Sequence, residues 1–122
     1  MSEHKNTNYK IRRDGERALA FSGRIIGQAD DKNHNSTRWT TVTIYRTVSG
    51  RVVVEVEDRT QWQGESDHVR ADSFGTATGA IGYLRHSGDY DIEGYLSPAA
   101  QEAIEDASKN DEEFASAFTE TI

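Results

Sequence analysis

Two runs of alternating residues joined by a tight turn constrain this chain most. Arg38 to Thr47 places Val42 and Ile44 on one face and Trp39, Thr41, Thr43 and Tyr45 on the other. Arg51 to Thr60 repeats the pattern, with Val52, Val54 and Val56 inward and Val53, Glu55 and Glu57 outward. A period of two over that length marks half-buried strands. The intervening Thr47-Val48-Ser49-Gly50 supplies a hairpin turn in which glycine takes a positive φ. A third run, Ala18 to Gln28, precedes them. Its Leu19, Phe21 and Ile25 alternate onto one face, and Gly23 and Gly27 on that face leave room for something bulky. The three runs predict an antiparallel meander, with a shorter fourth strand around Asp67 to Phe74.

Helical spacing takes over after Phe74. Thr76 is a candidate N-cap for a helix carrying Ala77, Ala80, Ile81 and Leu84 on its apolar side, weakened by Gly79 and Gly82. Ser97 caps a second helix, with Pro98 in its first turn and Ala100, Ala103, Ile104 and Ala107 as its buried stripe. A third is expected to start at Asn110, with Glu113 completing a capping box and Phe114, Ala117 and Phe118 as its apolar side. Strands first and helices second predict an α+β fold: a three- to four-stranded antiparallel meander covered on one face by two or three C-terminal helices. The expected organisation is a single domain over 1–122, with residues 1–12 disordered, the meander over 17–74 and the helical layer over 76–118.

No run approaches the apolar length of a membrane span, and the start has no apolar core of a secretory signal. Cysteine is absent, which excludes disulfides, a thiol nucleophile and thiolate metal sites. The expected location is the cytoplasm, where Asn35-Ser36-Thr37 is a chance glycosylation match.

Motifs for chemistry are wanting. Asp89-Tyr90-Asp91-Ile92-Glu93-Gly94 opens as a calcium loop opens, but its twelfth position is Ala100 rather than a bidentate glutamate. His4, His34, His68 and His86 are scattered without zinc-ligand spacing. No serine sits in a nucleophile elbow, and no glycine-rich phosphate loop is present. The expectation is a protein without catalytic residues, metal or cofactor.

Charge is divided unevenly. Residues 87–122 carry ten acidic side chains against Lys109 alone, while the formal net charge of the chain is -7. That segment favours a basic partner and disfavours phosphate or an anionic membrane. The candidate contacts are Asp89, Asp91, Glu93, Glu105, Asp106, Asp111, Glu112 and Glu113, with Trp62, Tyr90 and Tyr95 as anchors. For Asp111, Glu112 and Glu113 the plainer explanation is charge placed at a helix N-terminus. Trp62 lies in the polar segment Thr60-Gln61-Trp62-Gln63-Gly64-Glu65, either plugging the end of the core or offered to a partner.

Phe21-Ser22-Gly23-Arg24, then Tyr45-Arg46-Thr47 with Gly50 three residues on and a valine-rich strand, resemble the C-terminal part of the EXLDI family, small uncharacterised bacterial proteins. With Thr60-Gln61-Trp62-Gln63-Gly64-Glu65 added, the chain is also similar to small proteins of bacterial mobile elements. The resemblance covers about residues 17–84. The chain ends Thr119-Glu120-Thr121-Ile122, without the Leu-Asp pair of the family's motif, and lacks the ribbon-helix-helix-like segment of some members. The resemblance implies no catalytic residues.

The leading expectation is a non-enzymatic acidic interaction protein of a phage or mobile element. It would be an anti-defence inhibitor, of anti-CRISPR type, bound to the basic surface of a host nucleic-acid-handling protein. The alternative is a nucleic-acid-binding or regulatory accessory using Lys5, Lys10, Arg12, Arg13, Arg17 and Arg24 with the Trp39/Tyr45 sheet face. A homodimer through a sheet edge or the Phe114/Phe118 helix face is a third reading.

Overall fold

A computed structural model describes residues 6–33, 35–86 and 96–120. The elements follow in the order β1 (Thr7–Arg13), β2 (Glu16–Asp30), β3 (Arg38–Thr47), β4 (Val52–Thr60), β5 (His68–Phe74), α1 (Ala77–His86), α2 (Pro98–Asn110) and α3 (Glu112–Ala117). The strands form one antiparallel sheet in sequence order, so every strand pairs with its chain neighbour. The class is α+β as expected, with five strands rather than three or four.

The additional strand is β1, from the stretch expected to be disordered. Only Tyr9 and Ile11 are apolar among its polar and basic neighbours, a thin signal. The turn after it, Asp14-Gly15, is a hairpin sequence, and Gly15 takes φ 74°. Ile11 pairs with Leu19 and Tyr9 with Phe21.

β2 is long because it serves two partners. Its first half pairs with β1 and its second half with β3, and Gly23 lies opposite both Thr7 and Thr47. A register shift between Ile25 and Gly27 inserts one residue, which reverses the inside–outside parity. Ile25 was expected on the face of Leu19 and Phe21 and to be buried there. It is 44% exposed, and Ile26 takes the core position. Gly27 consequently faces α2: a Cβ there would meet the carbonyl of Ala103 and come 2.7 Å from the nitrogen of Ala107.

Both faces of the sheet are apolar. On one, Ile26, Val42, Ile44, Val52, Val54 and Val56 pack beneath Ala80, Ile81, Leu84, Ala103, Ile104 and Phe114 of the helices. On the other, Ile11, Tyr45, Val53, Val69 and Ala71 form a smaller cluster bordered by Tyr9, Leu19 and Phe21. Val53, expected to point outward, is therefore buried. The second cluster exists because the sheet curls until its first and last strands meet. The Asp14 N–H donates to the Val69 carbonyl at 3.0 Å, and Arg13 Nη1 donates to the Ala71 carbonyl at 3.3 Å.

The helix starts follow local chemistry. Thr76 Oγ1 accepts from the Gly79 N–H at 3.0 Å and Ser97 Oγ from the Ala100 N–H at 3.2 Å. α3 is capped by Asp111 instead of Asn110: the Asp111 carboxylate accepts the Phe114 N–H. Asn110 ends α2, and its amide donates to the carbonyls of Ile26 and Asp106. Phe114 is fully buried and Phe118, partly buried, packs against the same core.

Candidate interaction surface

The acidic side chains of the C-terminal third divide into structural and free groups. Asp106 Oδ2 accepts the Gln28 N–H at 3.1 Å. Asp111 takes Arg46 bidentately, with Nε at 2.9 Å and Nη2 at 2.7 Å, and Glu113 Oε1 accepts from the same Nη2 at 2.9 Å. The second Glu113 oxygen accepts the Ala77 N–H, joining α3 to the start of α1. Burial pushes the Asp111 carboxyl up, but hydrogen bonds from Arg46 and the Phe114 N–H outweigh it and hold the carboxyl below its ordinary range. Asp106, Asp111 and Glu113, expected as partner contacts, thus have internal partners that bind the helical layer to β2, β3 and α1.

Glu102, Glu105 and Glu112 are exposed, and among the described residues they enter no ion pair. Asp89, Tyr90, Asp91, Glu93 and Tyr95 lie outside the described residues, together with the calcium-loop-like segment. α2 runs along β2: Asn110 reaches Ile26, Asp106 reaches Gln28, and Ala103 and Ala107 cover Gly27. The N-terminal turns of α2 therefore extend toward the Asp30 end of β2.

At that end β3 begins, β4 finishes, and an open cleft of about 550 Å³ lies among Asp31, Arg38, Thr40, Asp58, Glu65 and His68. Thr40 lines it between the two aspartates. Its N–H donates to Asp31 Oδ1 at 2.7 Å and its hydroxyl to Asp58 Oδ1 at 2.7 Å. The cations beside it are committed: Arg38 grips Glu65 through Nε and Nη2, and Arg59 lies between Glu57 at 3.6 Å and Asp67 at 3.8 Å. Lys32 Nζ sits 4.1 Å over the Trp39 ring, a cation–π contact. Hydrogen bonds from Arg38 and then Thr60 bring the Glu65 carboxyl down to about 2.

Trp62 tops the β4–β5 turn beside this cleft and is 54% exposed. Both tryptophans of the chain accordingly sit toward one end of the sheet.

Of the basic and aromatic residues of the alternative reading, Arg12, Arg13, Trp39 and Tyr45 are engaged, Lys10, Arg17 and Arg24 enter no ion pair among the described residues, and Lys5 lies outside them. Tyr45 is buried in an edge-to-face cluster with Tyr9 and Phe21, its ring 4.8 and 5.1 Å from theirs, and its hydroxyl donates to Glu55 at 2.8 Å. Arg12 pairs with Asp14, and Arg13 donates to the Arg17 and Ala71 carbonyls. No Tyr45 face remains on which a base could stack.

Sequence reasoning missed Glu55. It is half-buried on the inner face of the curl, where burial raises its pKa, the Tyr45 hydroxyl opposes that rise, and neighbouring Glu57 adds to it. The only signal was the pairing of a charged residue with an apolar strand face. A raised folded-state pKa makes the ionised form a cost to the fold, incurred as pH rises through the carboxylate range. Glu55→Gln, which keeps the acceptor for Tyr45, should therefore melt above the parent by a few degrees in mildly alkaline buffer. The gap should close in acid, where Glu55 is protonated in both states. Thermal melts across that range provide the check, and a constant gap contradicts the assignment.

No family model, curated protein or solved structure matches this chain. Among the described residues no group of histidine, aspartate and glutamate could hold a metal ion, and no helix is long and apolar enough to cross a membrane.

Proposed function

We propose that this chain is a non-enzymatic protein-interaction module that docks through the acidic outer surface of α2 and α3 on a basic surface of its partner. The observation carrying the proposal is the division of the carboxylates. Asp106, Asp111 and Glu113 have internal partners, whereas Glu102, Glu105 and Glu112 are exposed and enter no ion pair among the described residues. Exposed carboxylates on α2 and α3 gain when a cationic surface covers them. A nucleic-acid channel is such a surface. An inhibitor of a nucleic-acid-handling host protein, of the anti-defence kind carried by mobile elements, is the form that accords with the EXLDI-like and T-x-W-x-G-E motifs. The alternative, direct nucleic-acid binding, retains Lys10, Arg17 and Arg24 but not a Tyr45 stacking surface.

The test is capture from a host lysate with the tagged chain and with its Glu102→Lys/Glu105→Lys/Glu112→Lys variant, at low and high salt, with and without nuclease. Glu102 and Glu105 have no partners among the described residues, and Glu112 gives up only a first-turn dipole contribution of about 0.3–1 kcal/mol, so the variant keeps the parent's circular dichroism and melts within a few degrees of it. The expected result is a protein partner that survives nuclease, is released by salt and is lost from the variant. Capture that is unaffected by the triple reversal, or that disappears with nuclease, overturns the proposal.

A further inference from the structure

We infer that the β4–β5 turn is a pre-built anchor, presenting Trp62 to an apolar socket on a partner protein while the neighbouring cleft receives a basic side chain of that partner. The inference rests on the preceding proposal only for the sign of the partner's charge. Its own basis is the geometry of the turn and of the cleft.

The turn is held from both ends. The Thr60 N–H donates to Asp67 Oδ1 at 3.0 Å, and the Gln61 N–H donates to the Thr37 carbonyl at 2.8 Å. The Thr60 hydroxyl donates to Glu65 Oε1 at 2.6 Å and accepts the Trp62 N–H at 3.0 Å. The Glu65 N–H closes the turn on the Trp62 carbonyl at 3.2 Å, Gly64 adopts φ 89°, and Arg38 clamps Glu65 to the start of β3. One threonine hydroxyl and one glutamate thus link β3 and β4 to the tryptophan backbone.

Nothing is gained inside the fold from all this at position 62. The indole stays 54% exposed and enters no ring stack or hydrogen bond among the described residues. A rigid backbone beneath an exposed indole removes most of the ordering cost of binding, and tryptophan is the residue most enriched at interface hot spots.

The cleft supplies the charge argument. Asp31 and Asp58 each give one oxygen to Thr40, and neither has a lysine or arginine partner among the described ion pairs. Arg38 and Arg59 are occupied by Glu65, Glu57 and Asp67. The second oxygens of the two aspartates are therefore complementary to a guanidinium or ammonium group. The partner is a protein surface with a basic side chain beside an apolar socket.

A displayed random-peptide library is the probe. It is selected on the full chain, and the enriched peptides are measured on Trp62→Ala, Trp62→Phe and Asp58→Asn, each first shown to melt as the parent does. The expected winners combine arginine or lysine with apolar residues. Their affinity falls about tenfold or more on Trp62→Ala and less on Trp62→Phe. On Asp58→Asn the preference for the basic residue weakens. Failure to enrich, winners without basic residues, or winners that bind Trp62→Ala as tightly as the parent would each overturn the inference. If Trp62→Ala has no effect while the triple lysine variant loses its lysate partner, this inference fails and the preceding proposal stands. The reverse pattern separates them the other way.

Discussion

Replacing Arg46 with alanine should lower the unfolding free energy by about 4 kcal/mol, the cost of removing one partner from a largely desolvated ion pair. Arg46 and Asp111 side chains are only 16% and 8% exposed, and two Arg46 nitrogens bind the Asp111 carboxylate. Alanine leaves that carboxylate without its counter-charge beneath α3. It also frees Glu113, which is more exposed at 42%, from the cation that positions it against the α1 N-terminus. For a chain of this size the expected fall in melting temperature is roughly 10–15 °C. Arg46→Lys should recover only part, since an ammonium lacks the planar fork. Because Asp111 keeps a lowered pKa through Arg46, the advantage of the parent is fully present above the ordinary aspartate range and shrinks as pH falls through the folded-state pKa. Denaturant melts of parent and variant at neutral and acid pH measure both effects. An Arg46→Ala protein as stable as the parent would mean that this bridge is not what holds α3 to the sheet.

Gly27→Ala carries the next largest expectation, a loss of about 3 kcal/mol or more from one added methyl group. The new carbon would lie against the Ala103 carbonyl, 2.7 Å from the Ala107 nitrogen and 2.8 Å from the Ala107 Cβ. Two of these neighbours are backbone atoms, so a side-chain rotation cannot relieve the overlap and α2 must move away from β2. That movement strains the Asp106–Gln28 and Asn110–Ile26 hydrogen bonds. The control is Gly82→Ala in α1, where a Cβ meets nothing within 4 Å and helix propensity favours alanine. Equal melting behaviour of the two variants would show that the helix is not seated on Gly27 as described.

The parts legible from sequence are those governed by local pattern. The β3–β4 hairpin follows from the alternation around Val42, Ile44, Val52, Val54 and Val56, and the α1 and α2 starts from Thr76 and Ser97. β1 was missed because two apolar residues in seven make a weak alternation, although Asp14-Gly15 marked the hairpin. The parity reversal at Ile25–Gly27 was not readable, since one inserted residue leaves no compositional trace and both Ile25 and Ile26 are apolar. Long-range pairing was the larger obstacle at the candidate surface. Asp111 and Arg46 are separated by 65 positions, so nothing local distinguished a structural carboxylate from a free one. Of the aspartates and glutamates expected to meet a partner, only Glu105 and Glu112 are both described and free of internal partners, and Glu102 joins them.

The curl of the sheet also bears on the order in which the molecule can assemble. Because each strand pairs with its chain neighbour, the meander grows one short loop at a time and the entropy of closure is settled in small steps. Joining Asp14 to Val69 is different, for it spans 55 positions and rewards the chain only once the intervening strands are in register. The inner cluster around Tyr45 and Val53 is thus expected to seal only after the meander is in register.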